Sequence, residues 1–286
     1  MALSDNDIRA LLQLLAEPEL ERAQTIIAHV ASMPAEDLKR IGELSRGSPA
    51  AVLNNLEAAQ ARARYLLLDR QWLDVAQARS FDLEKTLVLV AEAELGEDGL
   101  HDYVKRRLDD FAARVGAKLS GDRAYDNGLA AIADILGGEA GLRGNRDDYY
   151  NAANSYLPVV LERGLGIPIS LCSIAILVGQ RLDLPVYGIG APGHFLGFYG
   201  DPTLQQGSLF DPFDGFAKIS RAGAEKLVRE SSDQFDARSL LPVNEREIAA
   251  RTMRNLIALH RQHGDLEAAE RLRRWLEILV KHGNVP

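Results

Sequence analysis

The sequence of 286 residues contains a single cysteine, Cys172. A lone cysteine excludes a disulfide within the chain and is typical of proteins in a reducing compartment. No stretch of about 18 consecutive apolar residues occurs, so we expect no membrane span. The opening MALSDNDIRA is acidic and polar, and it lacks the basic and apolar regions of a secretory signal. These absences predict a cytoplasmic protein with no membrane partner.

Positive charge and ligand-binding motifs are also scarce. The chain has 33 basic against 41 acidic residues, a formal net charge of −8, whereas nucleic-acid-binding proteins usually carry a basic patch. No H-E-x-x-H or C-x-x-C spacing of metal ligands occurs, and the glycines between residues 137 and 144 form neither a G-x-G-x-x-G run nor a P-loop. We therefore predict no metal, no cofactor and no nucleic-acid partner.

Helical periodicity dominates the first 140 residues. Ser4 is suited to cap a first helix, and Pro18 is suited to open a second. The composition then changes, because segment 141–158 is rich in glycine, asparagine, aspartate and tyrosine, which predicts a loop. The remaining helices of this half are expected at 35–45, 49–69, 82–95, 98–118, 123–138 and, after the loop begins, 154–163.

The following segment has the pattern of a small mixed core. Pro168 cannot lie inside a helix, so the apolar run LCSIAILVGQRL is expected to form a buried central helix with Ser170 as its N-cap. VYGIGAPGHFLGFYG predicts two strands around the turn Pro192-Gly193, and SLFDPF predicts a third. After residue 244, two amphipathic helices match the length of one tetratricopeptide-type unit, and we expect them to pack on the core or to dock a partner.

Three side chains in this core are the components of a cysteine nucleophile site. Cys172 lies near a helix start, His194 begins a predicted strand, and Asp211 ends the next one. A helix N-terminus favours the thiolate, which is the nucleophile. A histidine takes the thiol proton and later protonates the leaving group, while a carboxylate orients the histidine. Two adjacent antiparallel strands would bring His194 and Asp211 side by side.

This order of helix-Cys, strand-His and strand-Asp-Pro resembles the transglutaminase-like superfamily. RGNRDDYYNAANSYLPVVLERGLGIPISL, RLDLPVYGIGAPGHFLGF and LFDPFDGF are similar to its bacterial SirB-type branch. The resemblance implies an α+β fold in three regions: a helical N-terminal region at 1–140, a transglutaminase-like core at 141–240, and a tetratricopeptide-like hairpin at 244–286. It also implies Cys172, His194 and Asp211 as the catalytic set.

Two positions remain open to more than one interpretation. The family's nucleophile position corresponds either to Cys172 or to Ser170, and in the second case Cys172 is a small buried apolar residue. In the loop 141–158, either Asn145, Asp148 and Tyr149 line the cleft, or the polar side chains form a structural collar around backbone groups.

Two functions are consistent with these residues. One is a cysteine-dependent acyl-transfer or amide-hydrolysing enzyme, in which Cys172 attacks a carbonyl, His194 is the base and then the acid, and Asp211 orients it. The other is a non-catalytic module that retains the fold and binds a protein or peptide. The position of the Cys172 thiol relative to His194 distinguishes them, because a thiol in an apolar core cannot serve the first.

Overall fold

The computed structural model describes residues 3–119, 125–191, 193–201, 203, 206–231 and 240–283. It divides into two compact units, Met1–Gln71 and Trp72–Pro286. The first unit consists of α1 (Asp5–Leu14), α2 (Leu20–Ala31), α3 (Ala35–Leu44) and most of α4 (Ala50–Gln77). Ser4 caps α1 as predicted, since its side chain accepts the Asp7 N–H. The buried side chains of this unit form one apolar core: Ile8, Leu12, Leu15, Val30, Ile41, Val52, Leu56 and Ala59.

The second unit combines helices with a sheet, which confirms the predicted α+β class. Its five-stranded sheet is antiparallel throughout and has the order β6-β5-β4-β3-β7. The helices are α5 (Leu83–Leu95), α6 (Leu100–Leu119), α7 (Tyr125–Ile132), α8 (Leu157–Arg163), α9 (Pro168–Arg181), α10 (Arg221–Ser231), α11 (Glu245–His263) and α12 (Leu266–Lys281). The strands of this sheet are β3 (Val186–Ile189), β4 (Leu196–Gly200), β5 (Gly207–Asp211), β6 (Ala217–Ile219) and β7 (Pro242–Val243).

Helix α9 is the centre of this unit. Every residue from Pro168 to Gly179 is buried, and the helix packs on β3, β4, α6 and α11. At its C-terminal end the Arg181 guanidinium binds Glu84 of α5 at 2.6 Å and Asp109 of α6 at 2.7 Å. Apolar side chains lie on all faces of α9, and neighbouring elements cover these faces, as the sequence predicted.

The start of α9 differs from the prediction. The helix begins at Pro168 rather than after it, and the N-cap is Ile167, so Ser170 as N-cap is wrong. Proline is well suited to the first turn because its missing N–H has no intrahelical acceptor there and its φ is already helical. The Ser170 hydroxyl accepts the Ile167 N–H at 3.1 Å and donates to the Asn154 carbonyl at 2.6 Å.

The segment between α7 and α9 is more ordered than a plain loop. Residues Ala133–Glu139 form a π-helix, and β1 (Arg143–Gly144) pairs in parallel with β2 (Leu165–Gly166). A 3-10 turn at Ala152–Ser155 precedes α8, which begins at Leu157 and not at 154 as expected. The predicted start fails because Asn154 uses its side chain on other backbone groups instead of capping α8.

The helical pair at the C-terminus packs against the core through a buried charged cluster. The Glu94 side chain of α5 is 1% exposed and accepts hydrogen bonds from Arg271 of α12 at 2.9 Å and from Tyr156 at 3.2 Å. His260 of α11 also contacts the Glu94 carboxylate. The Glu94 carboxylate therefore connects α5 to α11, to α12 and to the segment that precedes α8. The predicted division of the chain into regions 1–140, 141–240 and 244–286 stays a prediction.

Within the described residues, no helix is both long and apolar enough to cross a membrane.

Replacing Glu94 by glutamine should destabilise the fold by about 3 kcal/mol, because it removes the negative charge that Arg271 and His260 contact in this buried cluster. Urea unfolding followed by circular dichroism measures the change. The exposed Glu97, three residues on, provides the matched control, and Glu97→Gln should change stability by no more than about 0.5 kcal/mol. Equal stabilities for the two variants would contradict a role for Glu94 in holding α11 and α12.

Candidate active site

His194 and Asp211 lie together at one end of the sheet. His194 precedes β4 by two residues, Asp211 ends β5, and Leu196 and Asp211 are at facing ends of this strand pair. The His194 Nε2 atom lies 3.4 Å from the Asp211 Oδ2 atom, with both side chains largely buried. The other carboxylate oxygen of Asp211 accepts the Phe213 N–H at 2.9 Å, which fixes the carboxylate at the start of a 3-10 turn.

Cys172 lies in the same region but is enclosed. The residue is 0% exposed, and its thiol donates to the Leu196 carbonyl at 3.6 Å. Burial, and secondarily the negative charge of Asp211, raises the pKa of the Cys172 thiol well above its ordinary value. No hydrogen bond joins Cys172 to His194 in the described part of the chain. The structure thus pairs His194 with Asp211 and does not pair either side chain with the thiol by a hydrogen bond.

Ser170, the other nucleophile candidate, is also buried. Its hydroxyl is engaged with Ile167 and Asn154 at the first turn of α9, where it supports the helix start. Neither Cys172 nor Ser170 is among the residues that line the cleft beside His194.

His194 itself faces a cleft of about 230 Å³. Four separate segments form the cleft: the loop that carries Tyr149, the first turn of α9, the turn before β4, and one face of α11. The lining residues are Tyr149, Ile167, Pro168, Ile169, Gly193, His194, Phe195, Arg251 and Asn255. Pro192, the first residue of the predicted Pro-Gly turn, lies outside the described residues.

Arg251 connects α11 to the turn that carries His194. Its Nη2 atom donates to the Ala191 carbonyl at 2.6 Å and to the His194 carbonyl at 3.1 Å. The guanidinium carbon lies 5.5 Å from the centroid of the Phe195 ring. Sequence reasoning missed Arg251 and Asn255, because both belong to a helix that begins more than 50 residues after His194 and has an ordinary amphipathic pattern.

In the loop 141–158, only Tyr149 of the three residues predicted to line the cleft does so, while Asn145 and Asp148 belong to a structural collar. Asn154 is fully buried, and its amide donates to the Asp148 carbonyl at 2.7 Å while its oxygen accepts from Asn145 at 2.9 Å. Asn145 in turn accepts the Asp148 N–H. These bonds are the contacts of a structural collar, and they hold Tyr149 where it lines the cleft.

No group of three or more histidine, cysteine, aspartate or glutamate side chains suited to a metal ion occurs among the residues that the structure describes.

The sequence profile of the transglutaminase-like superfamily matches residues 102–254, which is more than half of the chain and includes every residue that lines the cleft except Asn255. The chain belongs to the transglutaminase-like superfamily.

Similar proteins come from bacteria and animals. A UPF0162 protein of Xylella fastidiosa is 37% identical over 138 residues, which cover 46% of this chain and 48% of the relative. A UPF0162 protein of Pseudomonas aeruginosa is 31% identical over 169 residues, covering 58% of this chain and 61% of the relative. The mouse F-box only protein 21 is 30% identical over 157 residues, covering 53% of this chain and 25% of the relative.

The matched region spans about half the length of the bacterial relatives. No solved structure matches the chain.

Replacing Asp211 by alanine should cost about 2 kcal/mol of stability, because it removes both the His194 contact and the cap on the Phe213 N–H. The control is Asp214→Ala, which removes only a surface ion pair with Arg146 and should cost about 0.5 kcal/mol or less. Chemical unfolding of both variants tests this. A smaller loss for Asp211→Ala than for Asp214→Ala would show that the His194–Asp211 contact does not stabilise the fold.

Proposed function

We propose that this chain is a binding module that keeps the transglutaminase-like fold without cysteine chemistry, and that its cleft beside His194 receives a segment of a protein or peptide. The burial of the Cys172 thiol carries this proposal. The motifs at 143–171, 181–198 and 209–216 support membership of the SirB-type branch, and the α11–α12 pair supports a tetratricopeptide-like hairpin. The lone cysteine supports a cytoplasmic location.

The thiol environment is unsuited to nucleophilic catalysis. A cysteine nucleophile reacts as the thiolate, which requires a lowered pKa and access to the substrate carbonyl. Burial of Cys172 has the opposite effect on its pKa, and the nearby Asp211 charge acts in the same direction. The thiol also has a hydrogen-bond acceptor of its own in the Leu196 carbonyl. As an apolar, buried residue, Cys172 contributes to packing between α9 and β4.

The cleft has the properties expected of a recognition site. It is concave, and it combines apolar walls from Ile167, Ile169 and Phe195 with the polar groups of His194 and Arg251. Within this proposal, Asp211 is a positioning residue that holds the His194 ring at the edge of the cleft.

The acyl-transfer reaction is the second candidate, and the His194–Asp211 pair is the observation that favours it. In that reaction the Cys172 sulfur attacks an amide carbonyl, and His194 takes the thiol proton and passes it to the leaving amine. Water or a second amine then cleaves the thioester. This candidate requires the residues that cover Cys172 to move so that the thiol becomes exposed.

Iodoacetamide labelling distinguishes the two candidates, because Cys172 is the only cysteine and every adduct reports on it. At mildly acidic pH we expect the native chain to label at least about 100-fold more slowly than the chain unfolded in urea, which corresponds to an opening free energy of about 3 kcal/mol. Mass spectrometry of the intact chain measures both rates.

Two variants provide the controls. Ala58→Cys in a Cys172→Ser background places a thiol on an exposed helical position, and under native conditions it should label at about the rate of the unfolded chain. His194→Ala should leave the slow labelling of Cys172 unchanged in a binding module. Native Cys172 that labels faster than the Ala58→Cys reporter, and that slows when His194 is removed, would establish the acyl-transfer site instead.

A further inference from the structure

We infer that the cleft binds a carboxylate group of its peptide partner and that Arg251 is the cation that holds it. This inference rests on the proposed binding function and specifies its ligand chemistry. The carboxylate is that of a chain terminus or of an acidic side chain, both of which present the same planar anion to a guanidinium.

Within the described residues the guanidinium of Arg251 contacts the Phe195 ring but has no carboxylate partner. No carboxylate lies within ion-pair distance of its guanidinium in that part of the chain, and its two hydrogen bonds both use Nη2. The Nε and Nη1 atoms therefore keep donors for a ligand. Burial disfavours the charged form of this side chain, and half-buried cations in folded proteins are usually paired. A ligand carboxylate supplies the missing partner.

The surrounding groups favour an anion over a cation. Asn255 and Tyr149 line the cleft beside Arg251, and their polar ends have no hydrogen-bond partner in the described chain. The Asp211 carboxylate is the acidic group near the cleft, and it is already engaged by His194 and the Phe213 N–H. The first turn of α9 also lines the cleft. The N-terminus of a helix carries a partial positive charge, which favours a bound anion.

The size of the cleft favours one carboxylate group of a peptide over a whole small molecule. Its volume of about 230 Å³ lies below the range of roughly 300–1,000 Å³ typical of small-molecule pockets. One carboxylate with the atoms next to it fits this space, and the rest of a peptide would continue across the surface. A single guanidinium and two neutral donors match the two oxygens of a carboxylate.

The test uses four small probes in two matched pairs. N-acetyl-glycyl-glycine and its C-terminal amide report on a terminal carboxylate, and N-acetyl-aspartate amide and N-acetyl-asparagine amide report on a side-chain carboxylate. Nuclear magnetic resonance of the Arg251 Nε–H group follows each titration of the full chain. We expect a saturable shift with at least one acid, and at least about tenfold weaker binding of its amide partner.

Three variants distinguish binding of a carboxylate at Arg251 from a general attraction of acids to positive charge. Asn255→Asp places a repelling charge in the cleft without changing Arg251, and it should abolish binding of the acids. Arg251→Lys keeps the charge but loses the planar fork and should weaken binding, which is followed in this variant by the backbone N–H resonances of His194 and Phe195. Arg261→Gln removes an exposed charge from the same helix, ten residues from Arg251, and should leave binding unchanged. Circular dichroism confirms that each variant is folded.

The outcomes also separate this inference from the function on which it rests. Equal binding of acid and amide, or acid binding that survives Asn255→Asp, would overturn the carboxylate assignment and leave a binding module intact. The same holds if none of the four probes shifts the Arg251 resonance up to the highest concentration used. A covalent adduct between a probe and Cys172 would instead overturn the binding-module function.

Discussion

The burial of α9 on all sides is the constraint on which the rest of the second unit depends. The helix has apolar residues around its whole circumference, so it must be covered by the sheet on one side and by α6 and α11 on others. Its first turn forms one wall of the cleft, and its last turn is held by Glu84 and Asp109 through Arg181. Beyond its first turn, α9 therefore has no uncovered face on which to present the Cys172 thiol.

This constraint separates two features that a cysteine enzyme would need together. The pair of His194 and Asp211 is retained at the end of β4 and β5, and His194 reaches the cleft. Cys172 lies behind the first turn of α9 and donates to a backbone carbonyl of β4. The cleft takes its remaining polar groups from α11 and from the loop that carries Tyr149. Recognition of a ligand therefore needs no contribution from the thiol.

Local sequence patterns predicted the main helices and strands, but not which distant side chains meet at the cleft. Proline at 168 and the apolar run after it identified α9, and the strands on both sides of His194 followed from their composition. The strands β6 and β7 are three and two residues long, too short for a period of two to be recognised. The sequence placed His194 beside Asp211, because neighbouring antiparallel strands imply it. It could not place Arg251, whose proximity to His194 depends on how α11 packs on α9.

Direct titration of the Cys172 thiol is the most decisive measurement. Thiolate formation is followed by ultraviolet absorbance of the native chain, with Cys172→Ser subtracted as the blank, from mildly acidic to alkaline pH. Because burial raises the thiol pKa, the folded chain should show no thiolate at neutral pH, nor through the range where an exposed cysteine ionises at about pH 8.5. A thiolate signal at neutral pH that disappears in His194→Ala would contradict this, since it would show a working cysteine–histidine pair.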